Sequence, residues 1–207
     1  MRQSARNDDC ASSKDWYAMA EKSIVGRSVV MVELAYMRMD SPVGELLIAC
    51  SDTALQVLDY IDYEERMHQL LKRRYGTAYQ LHQADNPLNM RTRMQAYFGG
   101  DLAAINDIPV ETGGTPFQQR VWAALRTIPA GQVATYGIQA TRIGQPTASR
   151  AVGRTNGLNP VAIVLPCHRV IGSNTKLTGY AGGLWRKEWL LRHEGWSGAI
   201  VQSTLSL

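Results

Sequence analysis

Hydrophobic positions change period several times along this 207-residue chain, and each change marks an element. "LAYMRMDSPVGELLIACSDTALQVLDY" sets short apolar runs between turn signals at Ser41-Pro42, Gly44 and Ser51-Asp52. That pattern predicts three antiparallel strands joined by tight turns. "DYEERMHQLLKRRYG" switches to helical spacing at Met67, Leu70 and Leu71, with acids first, bases last and Gly76 as a stop, as the helix dipole favours. "NPLNMRTRMQAYFGG" predicts a second helix, with Pro87 in its first turn and Gly99-Gly100 after it. "INDIPVETGG" is a linker by composition. In "TPFQQRVWAALRTIPAG", Thr115 is an N-cap, Pro116 fits the first helical position, and Phe117, Val121, Trp122 and Leu125 recur at helical spacing until Pro129-Gly131. "ATYGIQATRIGQPTASRAVGRTNGLNP" predicts two short helices around a Gly144-Gln145-Pro146 turn, the first capped by Thr135 and the second running from Pro146-Thr147 to Asn156-Gly157. Two helices around such a turn describe a helix-turn-helix. Val161 to Leu165, five apolar residues ending at Pro166, read as a buried strand.

The sum is an α+β chain in three parts. Residues 1–32 show no periodicity and read as a disordered leader; 33–108 form a small domain of three antiparallel strands with helices; 109–207 form a mostly helical domain. No apolar run approaches the ~20 residues of a membrane span, and the N-terminus lacks the apolar centre of a signal peptide. A soluble, cytoplasmic protein is expected, or a nuclear one in a eukaryote.

Charge divides the chain more sharply than composition does. Residues 1–111 hold 12 Lys+Arg against 16 Asp+Glu, a balance of −4; residues 112–207 hold 10 against 2, a balance of +8. No acid lies between Glu111 and Glu188. A basic second half on an acidic first half points to a polyanion, nucleic acid first. The second predicted helix of the pair, "TASRAVGR", is slim, with Arg150 and Arg154 four apart on one face. Such a helix suits close approach to a nucleic-acid groove as well as tight helix packing.

The three cysteines, Cys10, Cys50 and Cys167, are far apart and odd in number, which argues against a disulfide framework or a zinc knuckle. Cys50 ends "ELLIAC" and reads as a core residue. Cys167 is different: His168 and Arg169 follow it directly, and basic neighbours raise the thiolate fraction of a thiol. Successive side chains of extended chain face opposite ways, so His168 needs a turn or a water to reach the sulfur. A proton-accepting imidazole benefits from a carboxylate, and the basic half offers only Glu188 and Glu194. Glu194 is the candidate.

"PCHRV", preceded by "RAVG…NP" and followed by "GYAGG…RKEWLLRHEG", resembles the O6-alkylguanine-DNA alkyltransferases, also called methylated-DNA–protein-cysteine methyltransferases. The match is close from about Thr115 to Gly195 and looser over 33–108. The resemblance implies a ribonuclease H-like first domain and a winged helix-turn-helix-like second. It implies irreversible transfer of a methyl or alkyl group from O6-alkylguanine, or O4-alkylthymine, in flipped-out DNA bases to Cys167, once per molecule. It implies neither cofactor nor metal, and a monomer acting on double-stranded DNA that carries alkylated bases, away from membranes. By motif match, His168 deprotonates Cys167 through a water and is oriented by Glu194. Asn159 is a hinge, and Tyr136 supports the DNA and protonates the leaving base. Arg150 fills the gap left by the flipped base. Thr135, Gly137, Gln145 and Ser173 meet the DNA backbone, while Tyr180 and Gly182 line the pocket. Ala181 and Thr175 depart from the serine and glycine frequent at these positions, which bears on alkyl-group preference. The rival readings are a non-enzymatic lesion sensor, which has another residue at the nucleophile position, a helix-turn-helix regulator and a cysteine hydrolase. The first is opposed by Cys167, the second leaves "PCHRV" unexplained, and the third would draw its base from a distant segment.

Overall fold

The computed structural model describes residues 31–173, 176–198 and 201–202. All but the last two positions of the expected leader, Cys10 among them, lie outside the described residues, as does Thr175. The first half opens with β1 (Val32–Met39), β2 (Leu46–Cys50) and β3 (Leu55–Tyr60), antiparallel neighbours as the turn signals predict. Helix α1 (Glu64–Tyr75) ends at Gly76, whose φ of 64° suits glycine. It returns the chain to a fourth strand, β4 (Tyr79–Gln83), which pairs parallel to β1 and completes the order β3-β2-β1-β4. The sheet therefore has four strands rather than the three expected. "YQLHQ" is a half-exposed edge strand, and its polar side chains hide it from any hydrophobic pattern.

Strand β2 is buried on both faces, which is why "LLIAC" is apolar without alternation. Leu47 and Ala49 face Met67 and Leu71 of α1. Leu46, Ile48 and Cys50 face the main core, shared with α2 (Met90–Phe98) and with the second half. Cys50 is thus the core residue expected. Pro87 does not begin α2: it sits in a separate 3-10 turn, Pro87–Asn89, and Leu88 and Asn89 take left-handed φ of 50° and 58° before α2 starts at Met90.

In the second half, α3 (Pro116–Leu125) begins with the complete capping box of Thr115 and Gln118. Strand β5 (Ala134–Thr135) leads into α4 (Tyr136–Arg142), capped by the Thr135 hydroxyl. The turn at Gly144 (φ 74°) leads to α5 (Ser149–Asn156), which starts a few residues later than Pro146-Thr147. The helix pair is locked from inside: Asn156 Nδ2 donates to Gln139 Oε1 at 2.7 Å, Gln139 Nε2 to Val121 O at 3.0 Å and Trp122 Nε1 to Thr155 O at 3.0 Å. A 3-10 turn at Cys167–Arg169, strand β6 (Val170–Ile171), strand β7 (Lys176–Leu177), helix α6 (Leu184–His193) and strand β8 (Val201–Gln202) follow. No described helix is long and apolar enough to cross a membrane.

The buried strand expected over Val161–Leu165 is a buried turn. Only Val161 bridges a strand, beside Leu58 of β3. Leu58 N–H donates to Pro160 O, and Ala162 N–H donates back to Leu58 O at 2.8 Å. The chain then folds on itself, with Leu165 N–H donating to Val161 O at 3.1 Å and Ile163 at φ 68°. Burial alone made the run apolar, and an apolar run does not distinguish a strand from any other fully buried segment.

Candidate active site

Cys167 opens the 3-10 turn at the end of this buried segment and is 9% exposed. Asn159 fixes it. Its amide nitrogen donates to Leu165 O at 2.8 Å and lies 3.3 Å from Cys167 Sγ, while its Oδ1 accepts from Val161 N–H at 3.0 Å. The Asn159 backbone N–H in turn bonds Asn156 O at the end of α5. One side chain thus joins the helix-turn-helix to the Cys167 turn. A second tie comes from β5 and β6, which pair Thr135 with Ile171.

The turn also settles where His168 and Arg169 point. His168 Nε2 lies 3.0 Å from Glu194 Oε1. Arg169 grips the same carboxylate with Nε and Nη2, both at 2.8 Å, and Tyr97 Oη donates to it at 2.8 Å. The guanidinium expected to favour the thiolate therefore serves Glu194 instead. Burial raises the Glu194 carboxyl, but His168 and Arg169 outweigh burial and hold it well below the usual carboxylate range. Burial pushes the His168 imidazole below its ordinary value despite Glu194, so it is neutral at pH 7. With Nε2–H given to the carboxylate, Nδ1 is left as the acceptor; it is buried without a hydrogen-bond partner among the described residues. Burial also raises the Cys167 thiol, opposed by Asn159 and by the charge of Lys187. The resting sulfur is a protonated thiol that needs a base.

Tyr136 is the first residue of α4, and its hydroxyl donates to Thr178 O at 3.1 Å. Burial raises its pKa, so it is a neutral phenol able to donate. Its ring lies over Gly153 of α5, where a β-carbon would come within 3.5 Å. Tyr180 pairs its hydroxyl with that of Tyr60 at 2.8 Å. Gly182 lies between those two rings; a β-carbon there would come within 2.3 Å of Tyr60 and 2.8 Å of Tyr180. Ala181 is half-buried beside it.

Cys167 with Asn159 and His168 with Glu194 thus stand side by side on one turn, while Tyr136 is bonded to Thr178 O and Tyr180 to Tyr60. The remaining candidates lie outside these contacts. Arg150, Gln145 and Ser173 are exposed, Thr135 spends its hydroxyl on Ile138 N–H, and Gly137 is half-buried on the first turn of α4. The sequence reading missed Tyr97 and Tyr60, which come from the first half, and Lys187 of α6, fully buried. Nothing local in the sequence marks the two tyrosines, and Lys187 stands between Arg186 and Glu188 in a charged run that does not single it out.

Comparison with known proteins covers most of the chain. A family model described as "6-O-methylguanine DNA methyltransferase, ribonuclease-like domain" matches residues 34–112, and one described as "6-O-methylguanine DNA methyltransferase, DNA binding domain" matches residues 116–196. A methylated-DNA–protein-cysteine methyltransferase of Shigella flexneri is 49% identical over 168 residues, 80% of this chain and 98% of the relative. One of Mycolicibacterium paratuberculosis is 45% identical over 166 residues, covering 78% and 92%. The crystal structure of Mycobacterium tuberculosis OGT in complex with DNA superposes with a TM-score of 0.65 at 41% identity, covering 77% of this chain and 92% of the other.

Proposed function

Because the chain belongs to the 6-O-methylguanine DNA methyltransferase family, a DNA-binding family of direct damage reversal, we propose how its own residues divide that work. The observation that carries the proposal is two buried contacts on adjacent residues, Asn159–Cys167 and His168–Glu194, with an imidazole nitrogen of His168 that has no hydrogen-bond partner among the described residues. His168 Nδ1, through one water, takes the thiol proton. Glu194 holds the tautomer and supports the imidazolium that forms. The thiolate attacks the alkyl carbon on O6 of guanine in line, the S–C bond forming as the C–O6 bond breaks. The electron pair leaves with the base, which receives a proton from Tyr136. The product thioether has no good leaving group, so each molecule reacts once, without cofactor or metal.

The substrate is an alkylated base in double-stranded DNA. It is extruded to reach a sulfur this buried, and Arg150 fills the gap it leaves. Thr135, Gly137, Gln145 and Ser173 meet the backbone, and Tyr180 and Gly182 bound the alkyl group. Residues 33–108 act as the scaffold and 109–207 carry DNA binding and chemistry, in a monomer working in the compartment that holds the DNA. A non-enzymatic sensor is opposed by Cys167 itself, and a helix-turn-helix regulator would leave "PCHRV" and Glu194 unexplained. The test is stoichiometry: one equivalent of O6-methylguanine duplex should add a single methyl group to the Cys167 peptide by mass. Turnover beyond one equivalent, or full activity in Cys167→Ala, refutes the mechanism.

A further inference from the structure

Arg186 of α6 is buried, and its guanidinium holds three segments far apart in the chain. Nε donates to Val43 O at 2.7 Å, in the turn between β1 and β2. Nη2 donates to Asp62 Oδ2 at 2.6 Å, just after β3. Nη1 donates to Gly182 O at 2.9 Å. The fit is close, since a β-carbon at Gly44 would come within 3.1 Å of Nη2. A planar guanidinium can serve three acceptors in fixed directions at once, whereas an ammonium is a point charge on a flexible stem.

The guanidinium carbon also lies over the Tyr60 ring, 4.3 Å from its centre, where a cation is attracted to the π-face. Tyr60 in turn meets Tyr180: the hydroxyls are 2.8 Å apart and the rings pack edge to face at 65°. Arg186 therefore holds Gly182 directly and Tyr180 through Tyr60. Both belong to one tight turn, closed by Gly183 N–H donating to Tyr180 O at 2.9 Å. Tyr60 and Cys167 share one hydrophobic core, with Tyr180 packed against it. The ion pair alone does not account for this arrangement, because the Asp62 side chain is exposed and such a pair adds little stability. What the guanidinium fixes is the place of the Tyr180–Gly183 turn against the first half.

We propose that Arg186 is a positioning residue that sets the width of the alkyl pocket: it holds the Tyr180–Gly183 turn and the Tyr60 ring at a fixed distance from behind, and so decides which alkyl groups fit. The proposal rests on the proposed function, in which Tyr180 and Gly182 bound the alkyl group. It is tested on the full chain by single-turnover transfer to Cys167 from two free bases, O6-methylguanine and O6-benzylguanine, read by peptide mass. Arg186→Met should raise the benzyl-to-methyl ratio of rates by about tenfold, because a wall released by its holder yields to the larger group. Arg186→Lys keeps the charge but not the fork and should restore part of the wild-type ratio. Asp62→Ala, at an exposed side chain that the core does not need, should move the ratio the same way by less. A general loss of stability lowers both rates together and leaves their ratio alone. An unchanged ratio in Arg186→Met or in Asp62→Ala overturns the proposal; should Arg186→Met fail to fold, Asp62→Ala decides. If wild type takes an alkyl group from neither base, the proposed function itself fails and Arg186 loses its role with it; transfer with an unchanged ratio sinks the role of Arg186 alone.

Discussion

Glu194 receives four hydrogen bonds on two oxygens, from Tyr97, His168 and Arg169. A carboxylate so enclosed is sensitive to any change of charge. Glu194→Gln leaves Arg169 buried and unpaired, and should cost about 3–5 kcal/mol of stability in a denaturant titration. It should also lower the single-turnover rate by about 10²-fold, the lower end for general acid–base roles. The pH dependence has a definite sign. His168 is depressed in the fold, so its contribution is present above its unfolded value of about 6.5 and is lost as pH falls below it. Glu194 is depressed too, and its contribution is lost only below the unfolded value of about 4.3. Thermal melts should therefore show stability falling below about pH 6.5 and more steeply below about pH 4.3; a flat melting temperature across that range contradicts the burial of His168. At this scale Glu194 was legible, because the basic half holds only two acids. Tyr97 was not, because a phenol 97 residues away carries no sign in the sequence of where the fold will bring it.

Among the elements, caps and turns were easiest to read and the apolar run before Cys167 the hardest. Thr115 and Thr135 cap helices as their positions predict, and Thr115→Ala should cost about 1 kcal/mol by thermal denaturation. Val161–Leu165 has a strand's composition and a turn's conformation, because its one strand contact ends at Val161 and Ile163 takes a left-handed φ. Residues fully buried on all sides lose the alternation that separates strands from turns. The helix-turn-helix was legible from its glycine turn and slim second helix, although its start was placed too early. Arg150, exposed on α5, should matter only where a duplex must be opened. Arg150→Ala should slow repair of O6-methylguanine in duplex DNA while leaving reaction with the free base near normal. Equal loss on both substrates would remove the gap-filling role.

At the scale of the molecule, one hydrophobic core runs through both halves, from Met37 and Leu58 through Tyr97 to Trp122, Ile163 and Leu190. The charge contrast along the sequence located the DNA-facing half but could not show this joining. It depends on β3 meeting the 160–162 segment and on α2 meeting α6, pairings of residues far apart in the chain. Tyr97→Phe tests the joining. It removes a hydrogen bond to a charged group, so a loss of about 1.5–3 kcal/mol is expected, with slower transfer because Glu194 holds His168 less firmly. Chemical denaturation and single-turnover kinetics measure the two effects separately. The Tyr97–Glu194 and Tyr60–Tyr180 bonds also set a limit for anyone who would shorten this protein. A version trimmed to the region beyond residue 115 would keep every residue proposed to react and lose the phenols of Tyr97 and Tyr60 that brace Glu194 and Tyr180. The gap between the two matched regions looks like a natural place to cut, yet a cut there would divide a single working part.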